Sequence, residues 1–216
     1  MKKWIEGYRQ FYQAHFSNGD GLYPQLVRQG QQPEIMIIAC SDSRTDPSIL
    51  LGAGPGELFQ VRNVGNLVPA YSYQDHACGV AAALIFAVEV LKVRHIIVLG
   101  HTHCGGIQTL MKADKDIDPQ HQGIRDWASI AMKAKEQTVS DYPDASFAEM
   151  CQHCELASIK HSLLNLRSFP FVDDAVGAGL LQLHGWIFDL DSGKIKAYQS
   201  EKDVFHDVTD NAISDA

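Results

Sequence analysis

Two short apolar runs do most to limit how this chain can fold. "IMIIA" (35–39) and "HIIVLG" (95–100) are continuous rather than alternating. A strand with one wet face alternates apolar and polar residues. An unbroken run of this length reads instead as a strand buried on both faces, as in a parallel sheet covered by helices. "ELFQVRN" (57–63) reads as a further strand after the loop "GAGPG". "DHACGVAAALIFAVEVLK" (75–92) is alanine-rich and long enough for a buried helix, and "IRDWASIAMKAKEQT" and "SFAEMCQHCELASIKHSLLNL" give two more. "GLLQLHGWIFDLDSGKIKAYQS" (179–200) predicts a strand, an Asp-Ser-Gly turn and an antiparallel return. Strands alternating with helices predict an α/β class, with a mainly parallel sheet of about four parallel strands plus an antiparallel edge strand, flanked by helices. Trp4, Tyr8, Phe11, Tyr12 and His15 recur at helical spacing and predict an N-terminal helical arm.

A chain of 216 residues suits one domain, 1–216, with a substantial core. Within it the expected parts are the arm (1–30), an α/β core (31–200) and a C-terminal tail (201–216). The formal charge of −8 argues against nucleic acid and anionic membrane as partners. No apolar stretch reaches the length of a membrane span. The opening "MKKWIEGYRQFYQAHF" mixes charge with aromatics and has no apolar signal core, so a cytoplasmic location is expected. Five cysteines are then expected to be reduced, and an odd count does not suit a closed disulfide set.

Chemistry gathers where the two apolar runs end. In open parallel sheets, ligands collect at the carboxyl ends of strands. The first run leads into "CSDSR" (40–44) and the second into "GHTHCGG" (100–106). Adjacent strand ends would deliver Cys40, His101 and Cys104 into one crevice. Two thiolates and an imidazole form a zinc set with three protein ligands and an open fourth position. Gly105 and Gly106 are read as letting the backbone turn sharply there. If residues 40–44 stay extended, Asp42 and Arg44 share a face with Cys40, and they are natural partners for a charge-assisted pair.

With "PGELFQVRNVGNLV" (55–68) and "LHGWIFDLDSG" (183–193) added, the chain resembles the β-class carbonic anhydrases over most of residues 30–200. The resemblance implies one Zn2+ per chain on Cys40, His101 and Cys104, with Asp42 and Arg44 as a catalytic dyad. The implied reaction is reversible hydration of CO2 to bicarbonate and a proton by zinc hydroxide. Physical argument agrees. Asp42 is suited to accept a hydrogen bond from the nucleophile and aim it, while a bidentate Arg44 restrains Asp42 from closing the fourth position. Two thiolates leave zinc less electron-poor than three imidazoles, so its water should ionise above about 7. By matching position, Val64 and Phe86 resemble the family's apolar pocket wall, Gln31 a substrate-directing glutamine, and Gly105 a backbone donor near the metal. Plant-like members often carry Tyr where this chain has Phe86. The resemblance also implies a homodimer at least, or a tetramer, with sites near the interface and the N-terminal helix on the partner.

Some bacterial relatives switch to a closed form and bind bicarbonate at a second site. They resemble one another in a Trp three positions before the first zinc Cys and a Gly immediately before it. Here those positions hold Ile37 and Ala39, which looks closer to the plant-like, non-switching subtype, although Arg62 remains available to an anion. "CQHCELASIKH" (151–161) invites a second metal site, but on a helix Cys151, Cys154 and His161 share a face that core packing explains. Cys78 reads as packing, and His103 as either a solvated loop histidine or a proton relay. A related zinc hydrolase acting on CS2 or COS and a non-catalytic zinc-stabilised module are the alternatives. A structural site more often uses four ligands in Cys-x-x-Cys knuckles, and would draw no benefit from Asp42 and Arg44. A nucleobase deaminase is excluded, because no H-x-E followed by P-C-x-x-C occurs.

Overall fold

The computed structural model describes residues 1–17, 21–72, 78–112 and 119–208. Strand β1 (Ile35–Cys40) pairs in parallel with β2 (Leu58–Asn63) on one side and with β3 (His95–His101) on the other. β3 pairs in parallel with β4 (Gln182–Phe188), which pairs antiparallel with β5 (Ile195–Gln199). The four parallel strands and the antiparallel return are as the sequence predicts. A sixth strand, β6 (Val204–Asp207), continues the antiparallel edge, giving the order β2-β1-β3-β4-β5-β6. It lies in the segment expected to be a tail; residues 209–216 of that segment lie outside the described residues.

The period of two explains why the apolar runs are unbroken. Met36, Ile38, Ile96 and Val98 join a core on one face of the sheet, with Ile37, Ala39, Ile97 and Leu99 in a second cluster. On the first face lie α4 (Gly79–Ile85), α8 (Phe147–Arg167) and α9 (Pro170–Gly177), which contribute Leu84, Ile159 and Val172 to that core. Leu50 and Leu51 of the short α3 (Pro47–Leu51) pack against the second cluster. A third cluster caps the carboxyl end of the strands. It joins Cys40 and Cys104 to Ile107 and Leu110 of α5 (Gly105–Met111) and to Cys151 and Cys154 of α8.

The helix expected over 75–92 runs as α4 and continues as a wider π-helical stretch from Phe86 to Leu91, closed by Lys92 in a left-handed conformation. Residues 75–77 of that expectation lie outside the described residues. The helix expected over 124–138 is divided into α6 (Gln122–Ala128), a 3-10 turn (Ser129–Ala131) and α7 (Met132–Asp141). α8 starts from a capping box in which Ser146 and Glu149 bond each other's backbone amides. The arm forms as α1 (Lys2–Phe16) and α2 (Leu22–Gln29), and neither helix buries a residue. No described helix is long and apolar enough to cross a membrane.

Candidate metal centre

Cys40 closes β1 and His101 closes β3, so the parallel pairing of these strands brings the two residues to one end of the sheet. After His101 the chain turns into α5, and Cys104 stands at the N-cap of that helix without capping it. The Cys40 and Cys104 sulfurs lie 4.0 Å apart. The ligand atoms of Cys40, His101 and Cys104 all lie within 4.8 Å of one another, and all three residues are buried. They are the only such group among the described residues. Cys151 and Cys154 pack in the core beside them rather than with His161 as a second centre.

The donor set fits a soft dication. Zn–S bonds of about 2.3 Å at tetrahedral angles put two sulfurs about 3.8 Å apart, close to the spacing seen here. His101 Nδ1 donates to the Thr102 carbonyl at 2.8 Å, which leaves Nε2 with a free lone pair. Nε2 is buried and has no hydrogen-bond partner among the described residues. The Cys40 thiol is pulled far below its ordinary value, chiefly by Cys104 donating to its sulfur, against the opposing effect of burial. The Cys40 thiolate and burial in turn push Cys104 well above its own. Burial opposes a charge on His101, but the Cys40 thiolate, the Thr102 carbonyl and Asp42 outweigh it and raise its value. Ionising the second thiol beside the first calls for a cation between them.

Asp42 stands at the mouth of this centre, its Oδ2 3.9 Å from His101 Nε2. Arg44 holds it bidentately: Nε donates to Oδ1 at 2.9 Å and Nη2 to Oδ2 at 2.8 Å. The Arg44 backbone amide adds a third bond to Oδ1 at 2.9 Å. These bonds keep the Asp42 carboxyl well below the usual carboxylate range.

The turn itself differs from the sequence expectation. The residue in the left-handed region is His103, with φ +58°, not Gly105 or Gly106. Gly106 is required by close approach: a Cβ there would sit 2.9 Å from Val64 Cγ1 and 3.3 Å from the Gly65 amide nitrogen. Gly105 faces open space. His103 is exposed and its Nε2 pairs with Asp191 Oδ2 at 2.7 Å.

Of the expected pocket residues, Val64 abuts the centre through Gly106, and its carbonyl accepts the Trp127 indole N–H at 2.6 Å. Phe86 is 41% exposed and stacks on Phe59 of β2. Gln31 is exposed in the segment entering β1, at the opposite end of that strand from Cys40. One chain alone therefore does not bring Gln31 to Cys40, His101 and Cys104. Arg62 is not left open to an anion. Its Nε and Nη2 donate to the Cys40 carbonyl at 2.9 and 2.8 Å, and Nη2 also reaches the Asp42 carbonyl at 2.7 Å and that of Thr45 at 3.3 Å. Its Nη1 pairs with Asp46 at 3.2 Å.

Sequence reasoning missed two contributors. The Gly65 amide, presented by a residue at φ +79°, donates to the Cys40 sulfur at 3.4 Å. Asn63 braces that loop through paired bonds with Leu67, both 2.9 Å, and the "NVGN" turn signal was the available hint. Glu155 of α8 accepts the Cys104 amide at 2.8 Å, and burial raises its carboxyl to about 7. An acid on a cysteine-lined helix face was its only trace in the sequence.

A family model described as "Carbonic anhydrase" matches residues 35–195. Beta carbonic anhydrase 5, chloroplastic, from Arabidopsis thaliana is 44% identical over 163 residues, which are 76% of this chain and 53% of that protein. The chain thus spans about half the length of that relative. Among solved structures, the β-carbonic anhydrase CcaA superposes with a TM-score of 0.89 at 31% identity, over 96% of this chain and 98% of that one. One of two structures of tetrameric β-carbonic anhydrases from the ascomycete Sordaria macrospora gives a TM-score of 0.72 at 26% identity, over 91% and 92%.

Proposed function

From the premise that this chain belongs to the β-class carbonic anhydrases, we propose that it catalyses the reversible hydration of CO2 to bicarbonate and a proton. The observation that carries the reading is the buried Cys40, His101 and Cys104 set with an arginine-held carboxylate at its mouth. These three residues would hold one zinc, whose Lewis acidity makes a water nucleophilic near neutral pH. The other roles belong to the chain itself. Asp42, kept ionised by Arg44 throughout the neutral range, accepts the nucleophile's proton in a hydrogen bond and turns a lone pair towards CO2. Arg44 keeps Asp42 out of the ligand set. Val64 gives CO2 an apolar wall, and the Gly105 amide is the backbone donor suited to the reacting oxygens. Phe86, stacked on Phe59 opposite Met36 and away from Cys40, would line a centre only in a neighbouring copy.

Self-association completes the reading. Both arm helices lack a buried residue, and the two Sordaria macrospora β-carbonic anhydrases are tetrameric. We assign a dimer as the minimum unit, with the arm of one copy on the other and the Gln31 of one copy nearest the neighbouring copy's centre. The engagement of Arg62 by three backbone carbonyls, together with Ile37 and Ala39, supports the plant-like, non-switching subtype. A reducing compartment such as the cytoplasm suits thiolate ligands, and all five cysteines are free.

The test is a stopped-flow CO2 hydration assay with zinc analysis, from about pH 6 to about pH 9. One zinc per chain and a rate rising along a single limb towards alkaline pH are expected. A zinc-free chain, or one with no acceleration over the uncatalysed reaction, overturns the assignment. A steep, bicarbonate-deepened collapse below about pH 8 would overturn the subtype alone.

A further inference from the structure

Glu155 has no part in the chemistry above, yet it is only 3% exposed and sits directly behind a metal ligand. Its neighbours on the buried face of α8 are Cys151, Ser158, Ile159 and Ser162, a surface that packs without any acid. A carboxyl in such a place is costly unless the fold uses its oxygens. One is used: Oε1 accepts the Cys104 amide at 2.8 Å. The other, Oε2, is buried without a partner among the described residues.

That amide is a point at which the turn is held from outside. His101 and Cys104 are joined by Thr102 and His103 alone. Thr102 is tied to β4 and the residues after it: its amide donates to the Phe188 carbonyl at 3.0 Å, and its hydroxyl accepts from the Leu190 amide at 2.9 Å. His103 then takes a left-handed conformation, which residues with a Cβ avoid, and its carbonyl receives only a long 3.4 Å contact from Arg44. The Cys104 carbonyl is spent on the first turn of α5, bonding Gln108. What fixes the Cys104 backbone against α8 is Glu155.

We propose that Glu155 is a positioning residue for the metal centre, holding the Cys104 backbone so that the Cys104 sulfur stays at ligand distance from Cys40 and His101. The role needs an acceptor oxygen and not a charge. It rests on the reading of these three residues as a zinc site.

The experiment compares wild type, Glu155→Gln and Glu155→Met as purified, zinc-loaded protein. Zinc release to a chelator is timed with a metallochromic dye, and the visible spectrum of the cobalt-substituted forms is recorded beside CO2 hydration. Gln keeps the acceptor oxygen and should release zinc within about threefold of wild type, with the cobalt bands unmoved. Met fills the space without an acceptor and should release zinc about 10- to 100-fold faster, with shifted bands and a lower kcat. Should the Met variant not fold, Glu155→Asp, which withdraws the oxygen by one methylene, takes its place with the same expectation. Zinc release from Met or Asp at the wild-type rate overturns the role, as does a Gln variant impaired as much as Met. A wild-type chain that holds no zinc defeats the metal reading itself, which the other outcomes leave standing.

Discussion

The carboxyl end of β1 and β3 and the N-terminal arm are built on opposite terms. At the sheet end the supporting bonds come from within the chain. Arg62 ties down the carbonyls of Cys40, Asp42 and Thr45, Trp127 holds the Val64 carbonyl, and Glu155 holds the Cys104 amide. The conspicuous orphan of the Cys40, His101 and Cys104 set is His101 Nε2, which a metal would take. The arm is the reverse. Phe11, Phe16 and Tyr23 stack between α1 and α2, but Trp4 is 70% and Tyr8 62% exposed. Helices of this length are marginal in water without tertiary packing, and so large an apolar display marks an interaction surface. One chain brings Cys40, His101, Cys104, Asp42 and Arg44 together by itself, whereas the arm's aromatic surface suits the second copy proposed above. The two regions should therefore fail independently.

The largest break is expected from Cys104→Ala. It should remove zinc and abolish turnover while the arm continues to assemble, as metal analysis beside sedimentation would show. Loss of assembly with the metal would erase the distinction between the regions. Next comes Arg44→Ala, which frees Asp42. Zinc should stay, kcat should fall about 10- to 100-fold, and the oligomer should be unchanged. A normal rate in that variant removes the restraint role of Arg44.

The arm is probed by Trp4→Glu combined with Tyr8→Glu. Both side chains are exposed in a single chain, so its thermal stability as a monomer should hardly move. Light scattering should show smaller particles, with zinc content intact; an unchanged mass would show that these aromatics cover nothing. The smallest effects separate the two glycines of the metal turn. Gly106→Ala meets Val64 and the Gly65 backbone and should cost about 1–3 kcal/mol in a denaturation experiment. Gly105→Ala meets nothing and should stay within about 0.5 kcal/mol of wild type.

By itself the sequence determined the parts that are local. The unbroken runs before Cys40 and His101 specify strands covered on both faces, because side chains alternate with a period of two and neither face was left polar. Asp42 and Arg44, two positions apart, and His101 and Cys104 across one tight turn, are within reach of each other by spacing. The chain does not, however, stay extended over 40–44 as expected: β1 ends at Cys40, and a turn at 43–44, closed by the Thr45 amide on the Asp42 carbonyl, sets the Asp42–Arg44 contact. Tertiary structure decided whatever depends on register and on helices crossing the sheet. Glu155 meets Cys104 across 51 positions of sequence, and Arg62 reaches Cys40 across 22, because β2 lies beside β1 in that register. Strand β6 was hidden in a charged stretch with no apolar alternation, and it forms because β5 offers a free edge. Nor is the crowding that makes Gly106 necessary, and Gly105 optional, a property of the pair "GG". It exists only once the Val64 loop is folded against the turn, since the space around a backbone atom is set by whatever the fold brings next to it.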